Sequence, residues 1–234
     1  MSIFALIHGA GQSGWYWHLV EAELRALGHS TVAPDLPTDE SATLTDYADV
    51  VLDAIGSTEQ DVVVVAQSFG GFTAPLVATR LPAAALVFVA GMVPRSGETP
   101  GEWWANTDYA EAAQEQAAQD GGLTGASDPY VCYYHDVPRH LADQELSMER
   151  EHPSTAANDQ PWPGSVFPTT RTRFLLCTQD RLFPAPFMRR LARERLSLVA
   201  DEIESGHCPA LSHPRELAVR LASYEASVVP QTGQ

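Results

Sequence analysis

Strand-sized apolar segments separated by stretches of helical spacing constrain this chain more than any other feature. SIFALIH (2–8), HSTVAPD (29–35), VVVVAQ (62–67) and AAALVFVAG (83–91) are of strand length. Between them lie WYWHLVEAELRALG (15–28), TDYADVVLDAIG (45–56) and FGGFTAPLVATRL (69–81), whose apolar residues recur with helical period. The VVVV run shows no alternation, as expected of a strand covered by helices on both faces of a parallel sheet. A β-α-β-α order of this kind predicts a doubly wound α/β domain with right-handed crossovers.

The alternation breaks at residue 95. Residues 95–170 are rich in Pro, Gly, Trp, Tyr and Ala, with helix-like pieces at YAEAAQEQAAQD (109–120) and RHLADQELSMERE (139–151). A structureless loop of that length is improbable in a folded domain, so an inserted, mostly helical lid is expected. TRFLLCT (172–178) and LSLVADEI (196–203) read as further strands, and PRELAVRLASYEA (214–226) as a last helix with Pro214 in its first turn. The expected division is a core of residues 1–94 and 171–234 with a lid over 95–170.

Ser68 sits where VVVVAQ ends and the next helix begins, in AQSFGG. A nucleophile elbow has the form G-x-S-x-G, with small residues two before and two after the serine because the tight turn brings backbones together. Ala66 and Gly70 meet that need, with alanine the tighter fit. A serine hydroxyl requires a base, and the base an orienting acid. In this fold the chain order is serine, acid, histidine. His207, in EIESGHCPAL, follows the last strand. His135, His140 and His152 fall in the lid as ordinary polar residues, and His213 belongs to a helix start. Asp180, in FLLCTQDRLFP, follows the penultimate strand and is the expected acid. Asp35 is a rival, but it precedes the serine and reads as a turn residue. The oxyanion donors are expected at Phe69 N–H and, in the glycine-rich HGAG loop after the first strand, at Ala10 N–H. His8 reads as a structural residue of that loop.

LIHGAGQSGWYWHLVEAELRALGHSTVAPDL, VVVVAQSFGG, FLLCTQDRLFP and ESGHCPALSHPRELA, in this order, resemble the compact α/β-hydrolases that include plant methylesterases, hydroxynitrile lyases and bacterial esterase relatives. The resemblance implies a six-stranded parallel sheet of order 2-1-3-4-5-6. It implies the triad Ser68, Asp180 and His207, with Ala10 and Phe69 as oxyanion donors. Two departures stand out. The family usually has Gly-His before the nucleophile, where this chain has Ala66-Gln67, and the lid matches only loosely. The hydroxynitrile lyases carry a threonine and a lysine where this chain has Gly9 and Cys208.

Composition narrows the chemistry further. The chain has 234 residues, enough for one large domain, and carries 30 acidic against 14 basic residues, for a net charge of −16. Such a surface repels phosphate backbones and anionic lipids, so neither nucleic acid nor a membrane is an expected partner. Every basic residue is an arginine. The absence of lysine removes Schiff-base chemistry, pyridoxal phosphate attachment and the P-loop lysine. Cys132, Cys177 and Cys208 are scattered and odd in number, and MSIFALIHGAG lacks a signal-peptide pattern, so a reduced, cytoplasmic setting is expected.

The function expected is hydrolysis of a carboxylic ester of a small apolar or aromatic substrate through an acyl-enzyme on Ser68, without metal or cofactor. Lid aromatics Trp103, Trp104 and Tyr133 are the candidate pocket residues, and Tyr134, Trp162 and Phe167 add to the aromatic load. The partner expected is the small-molecule substrate, with a homodimer left open. Two alternatives remain: a lyase or cyclase using the same pocket, and a ligand-binding receptor on a hydrolase fold.

Overall fold

The computed structural model describes residues 1–226. Six parallel strands form its sheet: β1 (Ile3–Ile7), β2 (Ser30–Val32), β3 (Val62–Gln67), β4 (Ala83–Val89), β5 (Thr172–Cys177) and β6 (Asp201–Ile203). Their order is β2-β1-β3-β4-β5-β6. Every residue of β1 and β3 is buried, and the two run in register from Ile3–Val62 to Ile7–Ala66. This is the burial that an unbroken valine run requires.

Helices α1 (His18–Ala26), α2 (Leu44–Ile55) and α3 (Ala74–Arg80) connect the first four strands. The Thr43 side chain accepts from the Asp46 N–H, and the Asp46 carboxylate accepts from the Thr43 N–H, closing a capping box at the start of α2. The segment after Ser68 opens as a 3₁₀ turn, Ser68–Phe72, before α3, rather than as one helix over 69–81. Pro75 is part of the reason, because it has no N–H to carry the helical ladder back across the glycines.

Between β4 and β5 the chain forms α4 (Pro100–Asn106), α5 (Tyr109–Asp120), α6 (Pro129–Cys132), α7 (Arg139–Ser147) and α8 (Thr155–Asp159). Three polar anchors tie this segment to the sheet layer. Trp103 Nε1 donates to the Val93 carbonyl at 3.1 Å, and Trp162 Nε1 to the Phe72 carbonyl at 2.9 Å. Glu98 pairs with Arg195, with both side chains almost wholly buried.

Helices α9 (Ala185–Leu196), α10 (Pro209–Ser212) and α11 (Pro214–Ala226) complete the described chain. α1 packs against α11, and α2 against α3. The strand expected over 196–203 is reduced to Asp201–Ile203. Leu196 still belongs to α9, Ser197 turns the chain through a left-handed φ of 55°, and Val199 is 91% exposed. The apolar alternation there is that of a loop. Residues 227–234, assigned to the core from sequence, lie outside the described residues. Among the described residues no helix is long and apolar enough to cross a membrane.

Candidate active site

The carboxyl ends of β1, β3, β5 and β6 converge on one edge of the sheet, where open α/β sheets carry their ligands. Ser68 follows β3 directly and holds φ +49°, a left-handed conformation rare for a residue with a side chain. Such strain belongs to sharp strand-to-helix turns that expose a nucleophile. The turn leaves no room beside it: a Cβ at Gly70 would stand 2.7 Å from the His8 carbonyl oxygen. Ala66, at the position usually held by glycine, is accommodated within the wholly buried end of β3.

Asp180 lies in the turn after β5 and His207 beyond β6. His207 Nδ1 stands 2.7 Å from Asp180 Oδ2. The other carboxylate oxygen accepts from the Leu182 and Phe183 N–H groups at 2.8 and 2.9 Å. A carboxylate only accepts, so Nδ1 of His207 carries the proton and Nε2 presents its lone pair. Phe183 and Tyr133 set their rings edge-on to the imidazole, at 5.3 and 5.8 Å between centroids. Asp35, the rival acid, instead accepts from the Gly14 N–H and faces Arg150, with its side chain 61% exposed.

The Nε2 lone pair is engaged by Gln67. Gln67 Nε2 lies 3.0 Å from His207 Nε2 and 3.2 Å from the His207 carbonyl oxygen. That carbonyl can only accept, which fixes the NH₂ end of the amide against the histidine. Among the described residues the Ser68 hydroxyl has no hydrogen-bond partner, and neither has buried Gln67 Oε1. The sequence marks Gln67 as a departure from the family pattern but gives no sign of this contact. The amide also explains Gly9: a Cβ there would stand 2.3 Å from Gln67 Oε1. The glutamine at position 67 and the glycine at position 9 fit each other.

Ser68 and His207 border a cavity of about 760 Å³, together with Ala10, Phe69, Met92 and Cys208 from the sheet side. Its opposite wall comes from residues 104–153 of the inserted segment. Trp104 and Tyr133 line it as expected, and so does Tyr134. Trp103 does not. It is fully buried, with its ring against Phe183 and Phe187. Adjacent residues on a helix point about 100° apart, so one tryptophan of α4 anchors the helix and its neighbour faces the cavity. Trp162 and Phe167 likewise pack inward, against each other at 6.3 Å.

Two histidines lie at the seam between sheet and insert. His8 Nε2 accepts from the Leu36 N–H at 3.1 Å, and Nδ1 faces the Gly9 carbonyl at 2.9 Å, the structural role expected of it. His152 is not the exposed lid residue the sequence suggests. It is buried, borders the cavity, and meets the His8 ring edge-on at 4.9 Å. Burial lowers both, His8 to about 4 and His152 to about 3. Burial also raises the Cys208 thiol well above its ordinary value, so it stays a neutral wall residue. Glu145, on α7, is buried at the same cavity with both carboxylate oxygens unpartnered among the described residues. Nothing in its sequence context distinguishes it from a solvated helix residue. Among the described residues no three His, Cys, Asp or Glu side chains are grouped to hold a metal ion.

The parallel sheet order, the strained serine at its edge and the Asp–His pair opposite it define a class of protein, and the sequence comparison agrees. The chain belongs to the alpha/beta hydrolase family, whose model matches residues 4–220. Among individual relatives it is 29% identical to Methylesterase 7 of Arabidopsis thaliana, across 93% of this chain and 94% of that one. Its fold is similar to that of polyneuridine aldehyde esterase, with TM-score 0.75 and 20% identity over 95% of this chain and 98% of the other. A pyrethroid hydrolase is similar at TM-score 0.77, with 20% identity over 97% and 98%.

Proposed function

We propose that this protein hydrolyses carboxylic esters through an acyl-enzyme on Ser68. The observation that carries the reading is the 2.7 Å Asp180–His207 pair bordering, with its imidazole, the same cavity as a serine held in a left-handed turn. Esterase and hydrolase relatives spanning nearly the whole chain support it.

The chemistry follows from the atoms present. Ser68 Oγ attacks the ester carbonyl carbon and gives its proton to His207 Nε2. Asp180 holds the imidazole in the required tautomer and stabilises the imidazolium. The Ala10 and Phe69 N–H groups stabilise the oxygen that gains charge in the tetrahedral intermediate. As that intermediate collapses, the alcohol departs with the proton from His207. Water then attacks the acyl-enzyme, His207 takes its proton and returns one to Ser68, and the acid leaves. For attack, Nε2 must exchange the Gln67 amide for the Ser68 hydroxyl. We assign Gln67 the part of holding the free base in its reactive tautomer until substrate arrives. The inserted segment acts as the lid, and its aromatic wall suits a small apolar or aromatic ester.

Cyanohydrin cleavage is disfavoured by the same geometry. At Gly9 no hydroxyl is available, and Gln67 fills the space a threonine would need. Cys208 is a neutral thiol where a departing anion needs positive charge.

Intact-mass analysis after treatment with a fluorophosphonate tests the assignment. One adduct, absent from Ser68→Ala, is expected. An unmodified wild-type chain, or an adduct that survives Ser68→Ala, overturns the acyl-enzyme.

A further inference from the structure

Glu145 is the buried carboxylate of the cavity wall, and the reaction does not use it. It is 4% exposed, lies on α7 beside buried Ala142, and both its oxygens are without partners among the described residues. A buried carboxylate with no donor is costly, and a native protein retains one where something else supplies the donor. The chain itself has no lysine to offer. The one guanidinium at the cavity, Arg150, is directed at Asp35 at 3.7 Å, with its Nη1 making no hydrogen bond, and it does not bear on the Glu145 carboxyl, which responds to burial alone. Tyr16, Tyr134 and Cys208 feel the charge of Glu145, each held neutral by burial, and the buried Tyr16 hydroxyl makes no hydrogen bond to it.

The rest of the wall points to the charge of the missing partner. Glu149 and Glu151 also border the cavity, giving three carboxylates against one arginine, and His152 stays neutral. Trp104, Tyr133 and Tyr134 supply aromatic rings, which attract a cation through their faces. A neutral hydroxyl would satisfy one oxygen of Glu145. A cation would satisfy the charge as well, in a site whose low dielectric strengthens the attraction.

We propose that the ester taken into this cavity carries a cationic nitrogen that is held by Glu145. This rests on the hydrolase reading for the reaction, but the binding site stands without it. Burial raises Glu145 to about 7, so the empty cavity holds it partly protonated at neutral pH. A cation arriving there drives it to the carboxylate and expels a proton.

The test uses two pairs of isosteric esters, so that the charge can sit on either side of the scissile bond. One pair is the phenylacetates of choline and of 3,3-dimethylbutanol. The other is the phenyl esters of 4-(trimethylammonio)butanoate and of 5,5-dimethylhexanoate. Binding to Ser68→Ala protein is measured by calorimetry at pH 7 in buffers of different ionisation enthalpy. The cationic member of at least one pair should bind about tenfold tighter than its neutral partner, with proton release that the neutral partner lacks. Adding Glu145→Gln should abolish both effects. Equal affinity within both pairs, or cation binding without proton release, overturns the proposal. So does a preference that survives Glu145→Gln, which would come from the acidic surface at large. Turnover by wild-type protein separates the two readings. Cation preference without hydrolysis would leave the Glu145 site standing and remove the esterase. Hydrolysis without cation preference would do the reverse.

Discussion

The two walls of the cavity obey different rules. The sheet-side wall is built from strand ends whose positions follow from parallel register, and its one ionised side chain is fully paired, although Ser68 Oγ and Gln67 Oε1 are not. Asp180 alone receives the His207 ring and two backbone N–H groups. The inserted wall hangs from a few anchors: the Trp103 and Trp162 indoles and the Glu98–Arg195 pair. Its helix α5 buries no residue, and its Glu145 is buried unpaired. The first wall holds the serine and the Asp–His pair on which the proposed reaction rests. The second holds a buried carboxylate that, in the proposal above, a ligand pairs. On this view chemistry resides in the sheet and substrate choice in the insert, and each expectation below separates the two.

The largest effect belongs to the sheet-side wall. Ser68→Ala and His207→Ala should each lower kcat for a short-chain aryl ester by roughly three orders of magnitude or more, because triad members act as a unit. Asp180→Asn should cost somewhat less, since the imidazole remains but loses the partner that fixes its tautomer. Steady-state assays on proteins of unchanged circular dichroism decide it. If Ser68→Ala kept more than about a tenth of wild-type kcat, the acyl-enzyme would be excluded. Substitutions at Trp104 or Tyr133 should instead change the ranking of substrates.

The same division explains what could be read from the residues alone. Unbroken apolar runs such as Val62–Val65 declare a buried parallel strand, and the residue after such a run is placed by register. Ser68, Asp180 and His207 were therefore legible, each in the turn after a strand. The insert offers no such ruler. A Trp103-Trp104 pair cannot reveal which ring faces inward, because that depends on how α4 is rotated against Phe183 and Phe187. Helix α9 does carry a signal in the sequence: its buried Phe187, Met188, Leu191 and Ala192 recur at helical spacing between five arginine or glutamate residues. Glu145 and His152 were hidden because their residue types argue for solvent, and only tertiary packing overrides that. Gln67 stood out as an oddity, but its bond to His207 spans 140 positions of chain.

The next effect tests how the insert is hung. Glu98 accepts two hydrogen bonds from Arg195, one from Asn106 and one from the Arg95 N–H. Burial works against its ionisation, but Arg195 and the other donors outweigh it and hold the carboxyl below its usual value. Glu98→Ala leaves Arg195 buried and unpaired and should destabilise the fold by about 3–5 kcal/mol. Urea denaturation followed by circular dichroism measures this. A loss below about 1 kcal/mol would show that Arg195 readily finds other partners, such as the Val93 carbonyl it already approaches.

A third expectation concerns the seam. His8 closes the sheet-side loop, His152 ends the inserted wall, and the Gly11 N–H donates to the His152 carbonyl at 2.8 Å. Both imidazoles have folded pKa values below the 6.5 of an unfolded histidine, at about 4 and about 3. Between those values and 6.5 the unfolded chain binds more protons than the folded one. Stability therefore falls as pH drops from 6.5 towards 4, by on the order of 3 kcal/mol or more. His152→Phe keeps a ring against His8, Tyr47 and Phe69 while removing one titrating group. Its denaturation free energy should fall less steeply over that range. Parallel wild-type and variant curves would exclude His152 as a contributor.

The smallest effect runs opposite in sign and belongs to Glu145. Its folded pKa of about 7 lies above the 4.5 of an exposed glutamate, through burial alone. Below pH 4.5 the acid is protonated in both states and contributes no penalty. As pH rises from 4.5 to 7 the unfolded chain releases its proton first, so the folded state loses ground, and above 7 the full cost is present. A shift of this size corresponds to roughly 3 kcal/mol, with partial water access reducing what is measured. Glu145→Gln keeps the shape and removes the charge. The variant should therefore be more stable than wild type at pH 8, by about 1–3 kcal/mol, and indistinguishable from it near pH 4. In Ser68→Ala protein, which keeps Glu145 and does not turn the ester over, the stability lost at pH 8 should recover on adding a cationic ester, since a ligand that binds only the folded state adds its binding free energy. Equal stability of Glu145→Gln and wild type at pH 8 would mean that the carboxylate is satisfied within the chain. The inserted wall would then place no demand on a ligand, and the division of labour between the two walls would lose its physical basis.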